Sequence, residues 1–331
     1  MARPSYSNLH PVDQILTGIV SEAVPSDSQL IADRVMERVD IPERSGTLLV
    51  ETTRSFMGAP EADSRRAPGA GRQSLSSFNR SSLTFKAEIH SFEDSIAMED
   101  IEDSQYPGTE EARSARKVRR ALLLAQEKRC ADLMFSTAQF TNNTTPGTKF
   151  DAAGAEPLSF LHQQLDTLRA ANHGIVADTI VLGYNVFRAL ARNPEIRSFV
   201  GDSGQGIASG NRILADSAVI AVLRSVLAVP NVYVGSARRE TAIPGATSSE
   251  ADIWDRETIG LYILRGSDAI AQKSGGVKAM PVAALNMQYK GLQAGQYDSL
   301  DLVRRHVWGE HVQQFKLVDA TRGRLLYNCL T

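Results

Sequence analysis

The chain has 331 residues, about twice a typical domain, so its length implies two domains or one domain with large excursions. A hydrophobic share of 42% with 22% charged residues excludes a wholly disordered or fibrous chain, and a formal charge of −2 excludes a protein basic enough overall to coat nucleic acid. No apolar run of 18 residues occurs, the first residues lack the basic and apolar regions of a signal peptide, and Cys130 and Cys329 are too few for a disulfide framework or a four-thiolate metal site. A soluble protein made in the cytoplasm, without metal, cofactor or membrane, is expected.

Val12, Ile15, Leu16, Ile19 and Val20 fall at helical spacing before Pro25, and Leu30, Ile31 and Val35 predict a second short helix ahead of Pro42. The first forty residues therefore read as an extended arm carrying short helices. Thr47 to Thr53 favours a strand, and Leu83, Phe85, Ala87 and Ile89 alternate with polar residues as in a half-buried strand. Between them, residues 58–77 hold Gly58, Pro60, Pro68, Gly69 and Gly71 with almost no apolar residue. This tip of a long two-stranded excursion has no core of its own, so it needs a partner or is floppy.

Charge then separates. Residues 91–111 contain Glu93, Asp94, Glu99, Asp100, Glu102, Asp103, Glu110 and Glu111 and no base, whereas residues 112–130 contain seven bases and only Glu127 as an acid. Pro107, Gly108 and Thr109 followed by two glutamates predict a helix start, with the Thr109 hydroxyl as cap and the carboxylates at the positive end of the macrodipole. The helix is expected over 109–137, with Ala115, Val118, Leu122 and Ala125 on one face and Arg113, Arg116, Arg120 and Glu127 forming its charged face. From about residue 150 helices and strands alternate as in an α/β domain: a helix through Leu158, Leu161, Leu165 and Leu168, a strand Thr179 to Leu182, a helix Tyr184 to Arg192, a helix through Val219, Leu223 and Val226, and strands at Val232 to Val234 and Thr258 to Leu264. His311 to Val318 and Arg324 to Cys329 read as a terminal hairpin around Thr321, Arg322 and Gly323.

Motifs of chemistry are weak. Gly201-Asp202-Ser203-Gly204 copies the nucleophile tetrad of trypsin-like proteases, but it lies between predicted helices and no upstream histidine has a recognisable setting, so a hydrolase acting through Ser203 is the lesser reading. Gly204, Gly206 and Gly210 lack the lysine and hydroxyl of a phosphate loop, and a surface loop over residues 201–211 is preferred. His306 and His311 have no acid or thiol at ligand spacing. The basic helix fits either a phosphate backbone or charge pairing, within the chain or between subunits, with an acidic segment such as the one directly before it.

Taken in order, these features resemble the major capsid proteins of tailed bacteriophages, the Hong Kong 97-like family. Ile31-Ala32-Asp33-Arg34 with Arg44-Ser45-Gly46 is similar to the family's entry from arm to loop, and Arg65-Arg66-Ala67-Pro68-Gly69 to its loop tip. Leu122 to Arg129 followed by Asp132 to Phe135 is similar to the end of its spine helix, and Thr179 to Gly183 and Val232 to Ala237 to core strands of its axial domain. The resemblance implies an α+β fold with an N-terminal arm (1–45), an extended β-hairpin E-loop (46–92), a peripheral P-domain (93–150) with its spine helix, a mainly axial A-domain (151–265), and a return to the P-domain with C-terminal strands (266–331).

It further implies a non-enzymatic subunit that assembles with copies of itself through hexamers and pentamers into an icosahedral head around double-stranded DNA, with a portal, a separate scaffolding protein and a decoration protein as further partners. Arg65, Arg66, Arg72, Glu61 and Asp63 would make inter-subunit contacts at the E-loop tip, and Asp202, Ser203 and Gln205 would lie in a loop at the capsomer axis. No lysine occurs between Gly46 and Phe85, so the family's lysine cross-link is not expected, and arginine forks on a neighbour's carboxylates would replace it. The alternative of the same fold is an encapsulin-type compartment shell.

Overall fold

The computed structural model describes residues 12–21, 29–36, 38–51, 80–103, 108–201, 214–243, 245–265, 278–279, 282–299 and 303–331. In chain order it begins with helices α1 (Gln14–Ser21) and α2 (Ala32–Val35) and strands β1 (Arg38–Asp40), β2 (Ser45–Glu51), β3 (Arg80–Lys86) and β4 (Glu88–Ala97). A short helix α3 (Met98–Glu102), the long helix α4 (Thr109–Met134) and the two-residue strand β5 (Asn143–Thr144) follow. Next come α5 (Pro157–Ala171), β6 (Thr179–Gly183), α6 (Tyr184–Arg192), α7 (Pro194–Gly201), α8 (Asp216–Leu227) and β7 (Asn231–Gly235). The chain closes with the β8 (Arg238–Glu240) and β9 (Glu250–Asp252) ribbon, β10 (Ile259–Tyr262), β11 (Lys278–Ala279), β12 (Ala284–Ser299), β13 (Arg304–Leu317) and β14 (Gly323–Leu326).

Two sheets organise the cores. One has the order β5-β14-β10-β6-β7, with β6 and β7 parallel as a crossover through α6, α7 and α8 requires. Leucines 158, 161, 165 and 168 of α5 and Val219 and Leu223 of α8 are buried against Ile180, Leu182, Ile259 and Leu261 of this sheet. That spacing of three and four is what lets one helical stripe meet a sheet face.

The other sheet has the order β1-β12-β13-β4, with β12 and β13 antiparallel over nearly their whole length and bulged near Lys290. The long helix packs across it at Gly309: a Cβ there would stand 2.9 Å from Val118 Cγ1 and 3.2 Å from a Leu122 methyl. Glycine is what permits so close an approach.

β2 and β3 pair antiparallel from Ser45↔Lys86 to Glu51↔Arg80, the base of the excursion expected from the sequence. Its tip, with Glu61, Asp63, Arg65, Arg66 and Arg72, lies outside the described residues, as do Asp202, Ser203 and Gln205. The terminal hairpin is corrected. β13 pairs with β12 and β4, whereas β14 pairs with β10 and β5 in the other sheet. The turn between them is a 3-10 turn, Ala320–Arg322, in which the Asp319 carboxylate accepts the Thr321 amide and sends the chain between sheets instead of back on itself.

Candidate functional site

The long helix is where the first two helices, the β1-β12-β13-β4 sheet and the charged surface meet. It starts at Thr109, but its cap differs from the expected one: Gly108 sits at φ +80 and no side chain caps the amides. Left-handed backbone suits glycine, which explains the residue. Glu110 and Glu111 occupy the first turn, where the helix dipole favours them.

Glu127 is a second correction. Placed with the charged face by its polarity, it is 1% exposed. Its carboxylate accepts the Ile31 amide at 3.0 Å, the Ala32 amide at 2.9 Å and the Trp254 indole N–H at 2.6 Å. Burial pushes its pKa up, and the hydrogen bonds from Ile31, Trp254 and Ala32 work against that shift. Gln126 beside it donates to Asp33 at 2.6 Å. The Glu127 carboxylate fastens the start of α2 to the long helix and to Trp254.

Two residues further, Arg129 donates to His311 Nε2 at 2.9 Å. Arginine cannot accept, so His311 is neutral, with its proton on Nδ1. Burial, then the charges of Arg129, His90 and Arg38, bring the His311 pKa down to about 3. The His90 ring lies 5.5 Å away, centroid to centroid, and its pKa is lowered by burial and by Arg129.

Toward the helix start the contacts become ionic. Arg305 of β13 grips Asp298 of β12 with two nitrogens, at 2.7 and 3.2 Å, and reaches Glu111 at 2.9 Å. The hydrogen bond to Asp298 raises the Arg305 pKa, burial opposes it, and Glu111 adds to the rise. Asp94 of β4 accepts from Lys117 at 2.6 Å and from Ser114 at 2.8 Å. Burial pushes the Asp94 carboxyl up, but these bonds hold it below its ordinary range. Arg113 and Lys117 are 82% and 72% exposed at the side chain, Arg116 is exposed and Arg120 half-buried. Arg113, Arg116, Lys117 and Arg120 thus form a cationic row at helical spacing. Lys117, Asp94, Arg305 and Trp254 were not singled out as site residues from the sequence. The i, i+3, i+4, i+7 spacing of the bases marks Lys117, but nothing local marks strand residues whose partners lie far along the chain.

No protein-family model and no curated protein matches the sequence. Solved structures match in shape over nearly the whole chain. A phage-related protein from Bordetella bronchiseptica RB50 is 18% identical with a TM-score of 0.68, covering 97% of this chain and 98% of its own. The capsid of Myoviridae phage XM1 is 13% identical with a TM-score of 0.52, covering 99% of both chains. This chain has the Hong Kong 97-like capsid fold. The fold also includes a virus-like particle from Pyrococcus furiosus, 7% identical with a TM-score of 0.51, covering 94% of this chain and 95% of that one. In all three the match is end to end, so the Hong Kong 97-like fold accounts for both sheets and the long helix together.

Proposed function

We propose that the chain is the major capsid protein of a tailed bacteriophage, a structural subunit that forms hexamers and pentamers and closes into an icosahedral head around double-stranded DNA. The observation that carries this reading is the whole-chain likeness, in both directions, to the capsid of phage XM1. Under it, residues 1–45 are the arm, 46–92 the E-loop lying over a neighbour, 93–150 and 266–331 the P-domain and 151–265 mainly the A-domain. Arg65, Arg66 and Arg72, with Glu61 and Asp63, contact the neighbouring copy without covalent cross-links, and Asp202, Ser203 and Gln205 face the capsomer axis. Head-to-tail contacts of this kind close into rings, and many modest contacts then sum to a stable shell.

Sedimentation of the purified protein over a range of concentrations tests the reading: rings or shells are expected, and a monomer at every concentration refutes it. A compartment shell is the second reading, favoured by the likeness to the virus-like particle from Pyrococcus furiosus. Particles filled with DNA support the first reading, and particles filled with a cargo protein the second.

A further inference from the structure

On the capsid-subunit reading, we infer that the exposed cationic row of the long helix is an assembly surface whose occupant is the acidic α3 turn of a second copy. Arg113, Arg116 and Lys117 stand on one helical face and are exposed. Arg113 has only a 3.8 Å contact to Glu110 of its own helix, and Arg116 makes no hydrogen bond or ion pair among the described residues. Lys117 holds Asp94 with most of its side chain still in water. Of these three, Arg113 and Lys117 each face one carboxylate of their own chain, and Arg116 faces none among the described residues.

The same chain carries the complementary surface. Glu99, Asp100 and Glu102 of α3 are exposed and make no ion pair among the described residues. They are not on a loose tip. Ile101, between them, packs with Leu16, Val20, Ile96 and Ala115, so the turn presents its carboxylates from an anchored base. Two unlike surfaces of opposite sign on one chain allow a heterologous contact between copies, and like-charge facing penalises the wrong docking. The chain's charge of −2 then hides two patches of opposite sign. A second copy fits better than nucleic acid because the row spans only two helical turns, whereas a phosphate backbone continues beyond it with nothing basic in the acidic stretch 91–111 to follow.

The test uses the full chain in four forms: wild type, Arg113→Glu with Arg116→Glu, the triple change Glu99→Lys, Asp100→Lys and Glu102→Lys, and all five changes together. Lys117 is left in place, so its bond to Asp94 stays. Assembly is read as the fraction of protein sedimenting as particles, folding as the melting curve of the unassembled subunit, and DNA affinity by titration with a duplex. Each reversal alone is expected to lower the particle fraction roughly tenfold with an unchanged melting curve, and the combined form to recover most of it. Reversals that assemble like wild type overturn the inference and leave the capsid reading standing. Single reversals without recovery in the combined form also overturn it, as does a helix reversal that loses duplex affinity but not assembly. A lowered melting temperature would show that the cations serve their own chain, again overturning it. A wild type that never assembles removes the capsid reading and this inference with it.

Discussion

Glu127 shows how much one side chain holds. Replacing it by alanine leaves the Ile31 and Ala32 amides and the Trp254 indole N–H without their acceptor in a buried site. At about 1–3 kcal/mol for each orphaned donor, Glu127→Ala is expected to cost about 3 kcal/mol or more in chemical denaturation. Amide exchange at Ile31 and Ala32 should rise in the same variant, and unchanged exchange would show that the segment is held by something else. The helical periodicity could not reveal this role. A wheel sorts residues by polarity, and it cannot see that donors far along the chain converge on one carboxylate. His311 supplies a second test. Its folded pKa of about 3 lies below the ordinary value of 6.5, so the folded state resists protonation. Its contribution is therefore present above pH 6.5 and is lost as pH falls toward 3, by up to about 1.4 kcal/mol per pH unit. His311→Gln should flatten the stability profile between pH 6.5 and 4, leaving a residue of slope from His90. An unchanged slope would contradict the neutral, Arg129-bonded histidine.

At the scale of elements, the helix-to-sheet joint depends on a missing side chain. Gly309→Val would drive its methyls into Val118 and Leu122, so the helix must lift from β13. A loss of 1–3 kcal/mol, typical of overpacking, is expected in thermal or urea unfolding, and a neutral result would mean that the helix does not rest there. The Asp94 to Lys117 pair is exposed at its lysine end and adds at most about 1 kcal/mol. The elements with a strong period were legible in advance: the long helix, α5, β6, α6, α8 and β7 lie where the spacing of leucines and valines put them. β12 and β13 were largely hidden. Gln288, Lys290, Gly291 and Gln293 interrupt the alternation because the strand is bulged there and Tyr289, Lys290 and Gly291 are exposed. The terminal hairpin failed for another reason. Two β-favouring runs around a turn look alike whether they pair with each other or with different sheets, and only the distant partners, β4 and β10, decide.

For the whole molecule, two sheets and the long helix make the frame, and the 46–92 excursion is rooted in it at the β2 and β3 pair. On the capsid-subunit reading, surfaces left open on one copy are completed by its neighbours. That reading gives an inter-subunit role to Arg65, Arg66 and Arg72, which fall in a stretch legible in the sequence as polar and without a core. Changing Arg65, Arg66 and Arg72 to alanine together is expected to leave the subunit's melting curve unchanged while lowering the disruption temperature of assembled particles. An unchanged disruption temperature would contradict their inter-subunit role. The most direct measurement is an electron cryomicroscopy reconstruction of the purified protein after assembly. The expected result is a closed shell of rings in which residues 46–92 of each copy lie over the next. A preparation containing only monomers, or a shell in which that excursion folds back on its own chain, would contradict the account.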